Sequence, residues 1–311
     1  MVEVGGCIYN LRMAVAGRMR FDWRLRSRTL ALGERTLVMG IINVTPDSFS
    51  DGGHFYSPEH APERAMAEAL QMLEAGVHIL DIGGESTRPN AVPLSVGEEQ
   101  SRVLPVIEAI LKERPETIVS IDTHHAATAA RAVEAGAEIV NDVSGHLWDD
   151  AMSETCARLD CGVVLMHTRG RPQEWVAQPP LADEEVLPLV LGGLRERVEA
   201  VTAAGVARDR IVLDPGFGFG KRMDENVPLL AHLDRLHALG LPVLAGVSRK
   251  GFLGRALAPL YGEAPPPEAR IHATTAANVV AILNGAHILR VHDVAPALEA
   301  AAVADRVLAA R

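Results

Sequence analysis

Residues with chemical potential gather at the trailing ends of short apolar runs. LVMGII (37–42) is followed by Asn43 and the loop NVTPDSFSDGGHF, and VHILDI (77–82) carries Asp81 into GGESTRP. TIVSID (117–122) closes on Asp122, AEIVND (137–142) on Asn141 and Asp142, and GVVLMH (162–167) on Met166 and His167. RIVLDP (210–215) brings Asp214 ahead of GFGFGK, LPVLAG (241–246) leads to Ser248, Arg249 and Lys250, and HILRVH (287–292) contains Arg290 and His292. Carboxylate and carboxamide groups beside Lys, Arg and His donors form a set that binds a polar small molecule and can hold an anion. Eight polar run-ends imply a ring around one mouth.

Each residue also has a plainer role open to it. An Asp at a strand end commonly caps the next helix, and Asp122 before THHAATAA fits that pattern. His124 and His125 raise the question of metal, but neighbours diverge on a strand or helix, which argues against shared ligation. DPGFGFGK resembles a phosphate loop and fails the Walker pattern twice, at Pro215 and at Arg222. It reads instead as a flexible active-site loop that exposes backbone.

The apolar runs alternate with Ala/Leu/Glu-rich segments of helical period at roughly 59–75, 98–114, 125–136, 150–159, 184–204, 225–239, 268–284 and 295–309. Eight strands, each followed by a helix, predict an α/β fold, a single (β/α)8 TIM barrel. A doubly wound sheet is the competing architecture. The runs lack polar alternation, as expected of strands covered on both faces. EAGVHILDI, EAGAEIVND and NGAHILRV repeat the same step, a helix ending at Gly before the next strand. Residues 20–36 alternate apolar and polar around a Gly-containing turn and predict an N-terminal β-hairpin that plugs the barrel floor. Residues 1–19 read as a flexible tail, leaving 20–311 as the barrel domain.

The 311 residues are 48% hydrophobic and 23% charged, enough apolar material for a large core. Thirty Lys plus Arg against 40 Asp plus Glu give a formal charge of −10, which disfavours a nucleic-acid partner. Cys7, Cys156 and Cys161 are too few for a disulfide framework, so a reducing cytoplasm is expected. Arg12, Arg18 and Arg20 interrupt the first segment, and no run reaches 18 uninterrupted apolar residues, so neither a signal peptide nor a membrane partner is expected.

MGIINVTPDSFSDGGHF (39–55), LDIGGESTRPNA (80–91), LDPGFGFGK (213–221), GVSRKGFLG (246–254) and RVHDV (290–294) resemble the motifs of the dihydropteroate synthase family of pterin-binding enzymes. The likeness runs over residues 22–311. It implies a (β/α)8 barrel that joins 6-hydroxymethyl-7,8-dihydropterin diphosphate to p-aminobenzoate, using Mg²⁺ and releasing pyrophosphate. Asp122, Asn141 and Asp214 would read the pterin edge, Lys250 would donate to the pterin carbonyl and ring nitrogen, Arg290 would stack on the ring, and Met166 and Phe219 would line the pocket. Asn43 would hold Mg²⁺. Thr87, Arg290 and His292, with Asn43, would contact the diphosphate.

By the same resemblance Asp51 stabilises the cation left as diphosphate departs, so Asp51, Lys250 and Asn43 form the catalytic set. Phe49, Ser86, Arg88, Pro89 and Ser248 would form the p-aminobenzoate subsite, which sulfonamide inhibitors would share. A homodimer is also implied. The chain departs from the family pattern at His124 and His125, where a Tyr with Lys or Arg is usual, and at Thr168, where a second Met is usual. Two other functions compete: a non-catalytic pterin-binding paralogue, and a methyltetrahydrofolate-dependent corrinoid methyltransferase, which needs no diphosphate or arylamine site.

Overall fold

The computed structural model describes residues 18–45, 61–86 and 93–311. Eight parallel strands follow one another around the barrel: β3 (Leu37–Asn43), β4 (Ile79–Gly83), β5 (Val119–Asp122), β6 (Ile139–Asp142), β7 (Gly162–Met166), β8 (Ile211–Asp214), β9 (Leu244–Ala245) and β10 (Ile288–Val291). β3 pairs with both β4 and β10, and a bridge between Leu213 and Val243 joins β8 to β9 and closes the ring. Ahead of the barrel, β1 (Phe21–Arg24) and β2 (Thr29–Leu32) form the expected antiparallel hairpin.

Side chains alternate along a strand, so every second residue points into the barrel. Leu37, Met39, Ile79, Ile139, Val164, Val212, Leu244 and Ile288 form one buried inner layer, closed by Trp23, Leu25 and Leu32 of the hairpin region. Trp23 is 1% exposed, and its indole N–H donates to the Arg210 carbonyl at 2.8 Å. Arg210 in turn donates to the Leu25 carbonyl at 2.8 Å. The hairpin is therefore a bonded floor. The opposite strand face, including Val38, Ile42, Leu80, Ile121, Val163, Leu213 and Val291, packs in the larger core beneath the surrounding helices.

Those helices are α1 (Ala61–Glu74), α2 (Val96–Glu113), α3 (Ala126–Glu134), α4 (Met152–Leu159), α5 (Asp183–Ala203), α6 (Asn226–Ala231), α7 (Gly251–Tyr261), α8 (Ile271–Leu283) and α9 (Val294–Ala309). Two helices and one strand differ from expectation. α7 falls between the strand expected over 241–246 and the helix expected over 268–284, so two helices follow β9. The predicted helix over 225–239 stops at Ala231 and continues as a 3₁₀ stretch from Leu233 to Leu239, because His232 leaves helical backbone at φ −121°, ψ 31°. The strand expected over 241–246 is only two residues long. Just ahead of the hairpin, Arg18 is ion-paired with Asp305, and the Met19 carbonyl lies 2.9 Å from His287 Nε2.

Candidate active site

The inner layer changes character one step toward the carboxyl ends of the strands. Two residues beyond Ile79, Ile139, Val164, Val212 and Ile288, in the same inward phase, stand Asp81, Asn141, Met166, Asp214 and Arg290. Asp122 pairs in register with both Gly83 and Asn141 and joins them. Asp81 is wholly buried, Asn141 is 3% exposed and Asp214 is 6% exposed. A β-barrel with an apolar floor thus carries a polar layer immediately above it.

Arg290 organises that layer. Its Nε donates to Asp81 Oδ2 at 2.6 Å, and its Nη2 donates to Asp122 Oδ2 at 2.5 Å. Asn141 Nδ2 donates to the same Asp81 oxygen at 3.0 Å. Burial pushes the Asp122 carboxyl above its ordinary range, with Arg290 opposing the shift and Asp81 adding to it. Asp122 is thus no helix cap; the cap position of α3 is His125, three residues later, whose side chain makes no capping bond. Asp142 does serve the backbone, accepting from Ser144 N–H at 2.7 Å and His146 N–H at 3.0 Å.

Asp214 and Lys250 face each other across the far wall. Burial raises the Asp214 pKa, offset by Gly216 N–H donating to Oδ1 at 2.7 Å and by the Lys250 charge. Burial lowers Lys250 to about 8, with Asp214 holding it up. The Lys250 ammonium sits 4.1 Å from the centre of the Phe219 ring, a cation–π contact. The glycine loop between them is constrained rather than slack. Gly216 has φ +69°, and a Cβ there would stand 2.0 Å from the His167 carbonyl oxygen. Lys221, 5% exposed, donates to the carbonyls of Gly216 at 2.8 Å and His167 at 3.2 Å.

The SRK turn is built on a strained residue. Arg249 has φ 58°, a conformation held by its forked pair with Asp293 at 3.0 and 2.7 Å and by its N–H donating to Thr274 Oγ1 at 3.0 Å. Turning Arg249 outward leaves Ser248 and Lys250 facing the mouth. Ser248 Oγ accepts the His292 backbone N–H at 3.2 Å and lies 3.0 Å from His292 Nδ1. The hydroxyl and the imidazole thus share a hydrogen bond. Burial drives the His292 pKa down to about 3, so the ring is neutral and presents one donor.

The pterin binding enzyme family matches residues 39–292. Dihydropteroate synthase of Bacillus subtilis is 43% identical over 279 residues, which are 90% of this chain and 91% of the relative. The chain belongs to the dihydropteroate synthase family. Among solved structures, Xanthomonas albilineans dihydropteroate synthase with 4-aminobenzoic acid superposes with a TM-score of 0.81 at 43% identity, covering 94% of this chain and 99% of that one. The Yersinia pestis dihydropteroate synthase in a sulfonamide drug complex gives 0.83 at 40% identity, covering 94% and 100%.

Within this synthase barrel the structure brings Asp122, Asn141, Met166, Asp214, Phe219, Ser248, Lys250, Arg290 and His292 to one end. Asn43 ends β3 beside Gly83, and Ser86 follows β4 in the loop at the same end. Phe49, Asp51, Thr87, Arg88 and Pro89 lie outside the described residues. Asp81 and Arg249 stand at run-ends without an assigned role, and Asp293 stands only within the RVHDV motif. Asp81 is the buried acceptor shared by Arg290 and Asn141, and the two-residue step from Ile79 was the signal for it. Arg249 and Asp293 shape the turn, and only a folded chain shows their pairing. One premise is overturned: His124 and His125 do not diverge, since their ring centroids are 4.1 Å apart.

Proposed function

We propose that the polar layer binds a pterin diphosphate and that this enzyme, a transferase, condenses it with p-aminobenzoate to give 7,8-dihydropteroate and pyrophosphate. The observation that carries the reading is the run of acceptors, the buried Asn141 and Asp214 with the half-buried Asp122, lying in one layer beside the Lys250 and Arg290 cations. A pterin offers an aminopyrimidine edge of N–H donors and a carbonyl that needs one. Asp122 and Asp214 meet the donors, Asn141 satisfies either sense, and Lys250 meets the carbonyl. For Asp122 to do so, the Arg290 guanidinium must release or share its oxygen, and swinging off the carboxylate frees its plane to stack on the ring.

The leaving diphosphate carries charge that rises as the C–O bond breaks with its electron pair on oxygen. Arg290 and the neutral His292 are the described residues that would donate to that end. Asn43 fits Mg²⁺: its side-chain oxygen is a hard, neutral donor at the mouth, and Mg²⁺ takes one or two protein ligands together with substrate phosphates. Bound there, the ion would neutralise developing charge on the diphosphate. The arylamine nitrogen then forms the C–N bond and loses a proton. Ser248, held against His292, would receive the p-aminobenzoate carboxylate in a subsite completed by Ser86, Phe49, Arg88 and Pro89; Thr87 would serve the diphosphate, and Asp51 would stabilise the cationic carbon.

The same reading includes sulfonamide inhibition at the arylamine subsite, homodimerisation and residence in a reducing cytoplasm. Buried free thiols at Cys156 and Cys161 support the last, and no helix of the described residues is long and apolar enough to cross a membrane. The deciding experiment supplies purified protein with the pterin diphosphate, p-aminobenzoate and Mg²⁺ and follows dihydropteroate and pyrophosphate. Both products are expected in equal amounts, lost in excess EDTA and restored by Mg²⁺, with a sulfonamide raising KM for p-aminobenzoate. Full turnover in EDTA after verified metal removal would withdraw the metal; absence of both products under complete conditions would withdraw the reaction.

A further inference from the structure

Beside the polar layer, the loops after β4 and β5 bring together a second set of groups that the reaction does not use. Among the described residues, Glu85, His124 and His125 are the one group of three His, Cys, Asp or Glu side chains whose donor atoms all lie within 4.8 Å of one another. Their side chains are 14%, 16% and 19% exposed, so an ion reaches them without unfolding anything. Glu85 Oε2 is buried, accepts no hydrogen bond and stands 3.8 Å from His124 Nδ1. That gap is too long for a hydrogen bond. Two ligands each about 2.0–2.1 Å from a tetrahedral zinc ion stand roughly 3.3–3.4 Å apart, so this pair lies within about half an ångström of that spacing.

A fourth residue completes the pattern from behind. Glu99, on α2, is 0% exposed, and its Oε2 lies 3.0 Å from His125 Nδ1. The other oxygen, Oε1, is buried and has no hydrogen-bond partner. A carboxylate on one imidazole nitrogen fixes the tautomer and turns the other nitrogen outward, the arrangement found behind metal-ligating histidines. We propose that Glu85, His124 and His125 bind a divalent first-row transition metal, zinc above all, with Glu99 orienting His125. The ion would also relieve the repulsion between Glu85 and Glu99, which now adds to the upward shift of the Glu85 carboxyl caused chiefly by burial. Two imidazoles and a carboxylate suit zinc, cobalt or nickel, whereas the oxygen donor at Asn43 suits magnesium, so the two sites are chemically separate.

The ion ties the start of the GGESTRP loop to the residue at which α3 begins. The test titrates Co²⁺ into the metal-free full-length protein in excess Mg²⁺ and records the visible d–d bands. One Co²⁺ per chain is expected, displaced mole for mole by Zn²⁺. Glu99→Gln should weaken binding by roughly 10–100-fold. His124→Ala and His125→Ala, each checked for folding by circular dichroism, should weaken it beyond that range. X-ray absorption of the zinc-loaded wild type, which needs no variant, should show two imidazole ligands. The proposal is overturned if the wild type takes up no Co²⁺ in excess Mg²⁺, if both histidine variants bind as it does, or if the zinc spectrum lacks imidazole.

Discussion

At the residue scale, the site is assembled from groups that are costly to bury. Lys250 is the clearest case, because burial lowers its pKa from 10.5 to about 8 while its functional role needs the proton. Lys250→Met should therefore abolish pterin binding and yet raise Tm at pH 7 by roughly 2–4 °C, equivalent to about 1 kcal/mol in a chain of this size. The pH dependence has a definite sign. Below about 8 the lysine is protonated whether the chain is folded or unfolded, so the difference between wild type and variant is constant. Between about 8 and 10.5 the folded chain holds fewer protons, so wild-type stability rises with pH and the difference should shrink. A difference that widens over that window in differential scanning calorimetry would contradict the account. Asp214→Asn supplies the complementary probe: it keeps the shape, replaces one acceptor by a donor, and should weaken pterin binding at least about tenfold by calorimetry, since an unpaired buried group costs about 1–3 kcal/mol. Residue types at run-ends were enough to point at Asp122, Asn141 and Asp214. The forked Arg249–Asp293 pair was not legible, because it spans 44 positions and depends on one left-handed backbone angle.

At the element scale, the strands were legible and one helix was not. Strand runs announce themselves by continuous apolarity, which the two-sided burial of a parallel barrel requires. α7 hides because GFLGRALAPLY contains Gly251, Gly254 and Pro259, all poor helix residues. Gly254 has a packing reason: a Cβ there would lie 2.7 Å from Arg270 Nε, and Arg270 donates to the Arg249 carbonyl at 2.9 Å. The residue that obscures the helix thus lets a cation pass to the catalytic turn. β9 is short for a comparable reason, since Pro242 has no N–H for a ladder. The hairpin floor makes a separable prediction. Trp23→Ala removes a fully buried indole and its bond to Arg210, and should destabilise the protein by about 3–5 kcal/mol in denaturant titration. The kcat of the surviving folded fraction should stay within about twofold of wild type, because an apolar layer separates Trp23 from the polar one; a large kcat loss would show the layers to be coupled.

At the scale of the whole molecule, the outer helices carry apolar residues that the barrel does not cover. Val280 on α8 and Val303 and Val307 on α9 are 41%, 64% and 45% exposed, and these two helices pack against each other. If this face mediates the proposed homodimer, Val303→Glu with Val307→Glu should yield a monomer by light scattering, while an unchanged dimer mass would place the contact elsewhere. The floor has a further consequence, in the order of synthesis. Trp23 leaves the ribosome early, yet its hydrogen-bond acceptor lies 187 residues later, and the ring it seals also needs Ile288 from the last strand. Among the described residues, the first large side chain that becomes fully buried is thus among the last to find its socket. A nascent chain carries it uncovered through most of elongation, and a holdase that binds exposed aromatic segments has its natural target there.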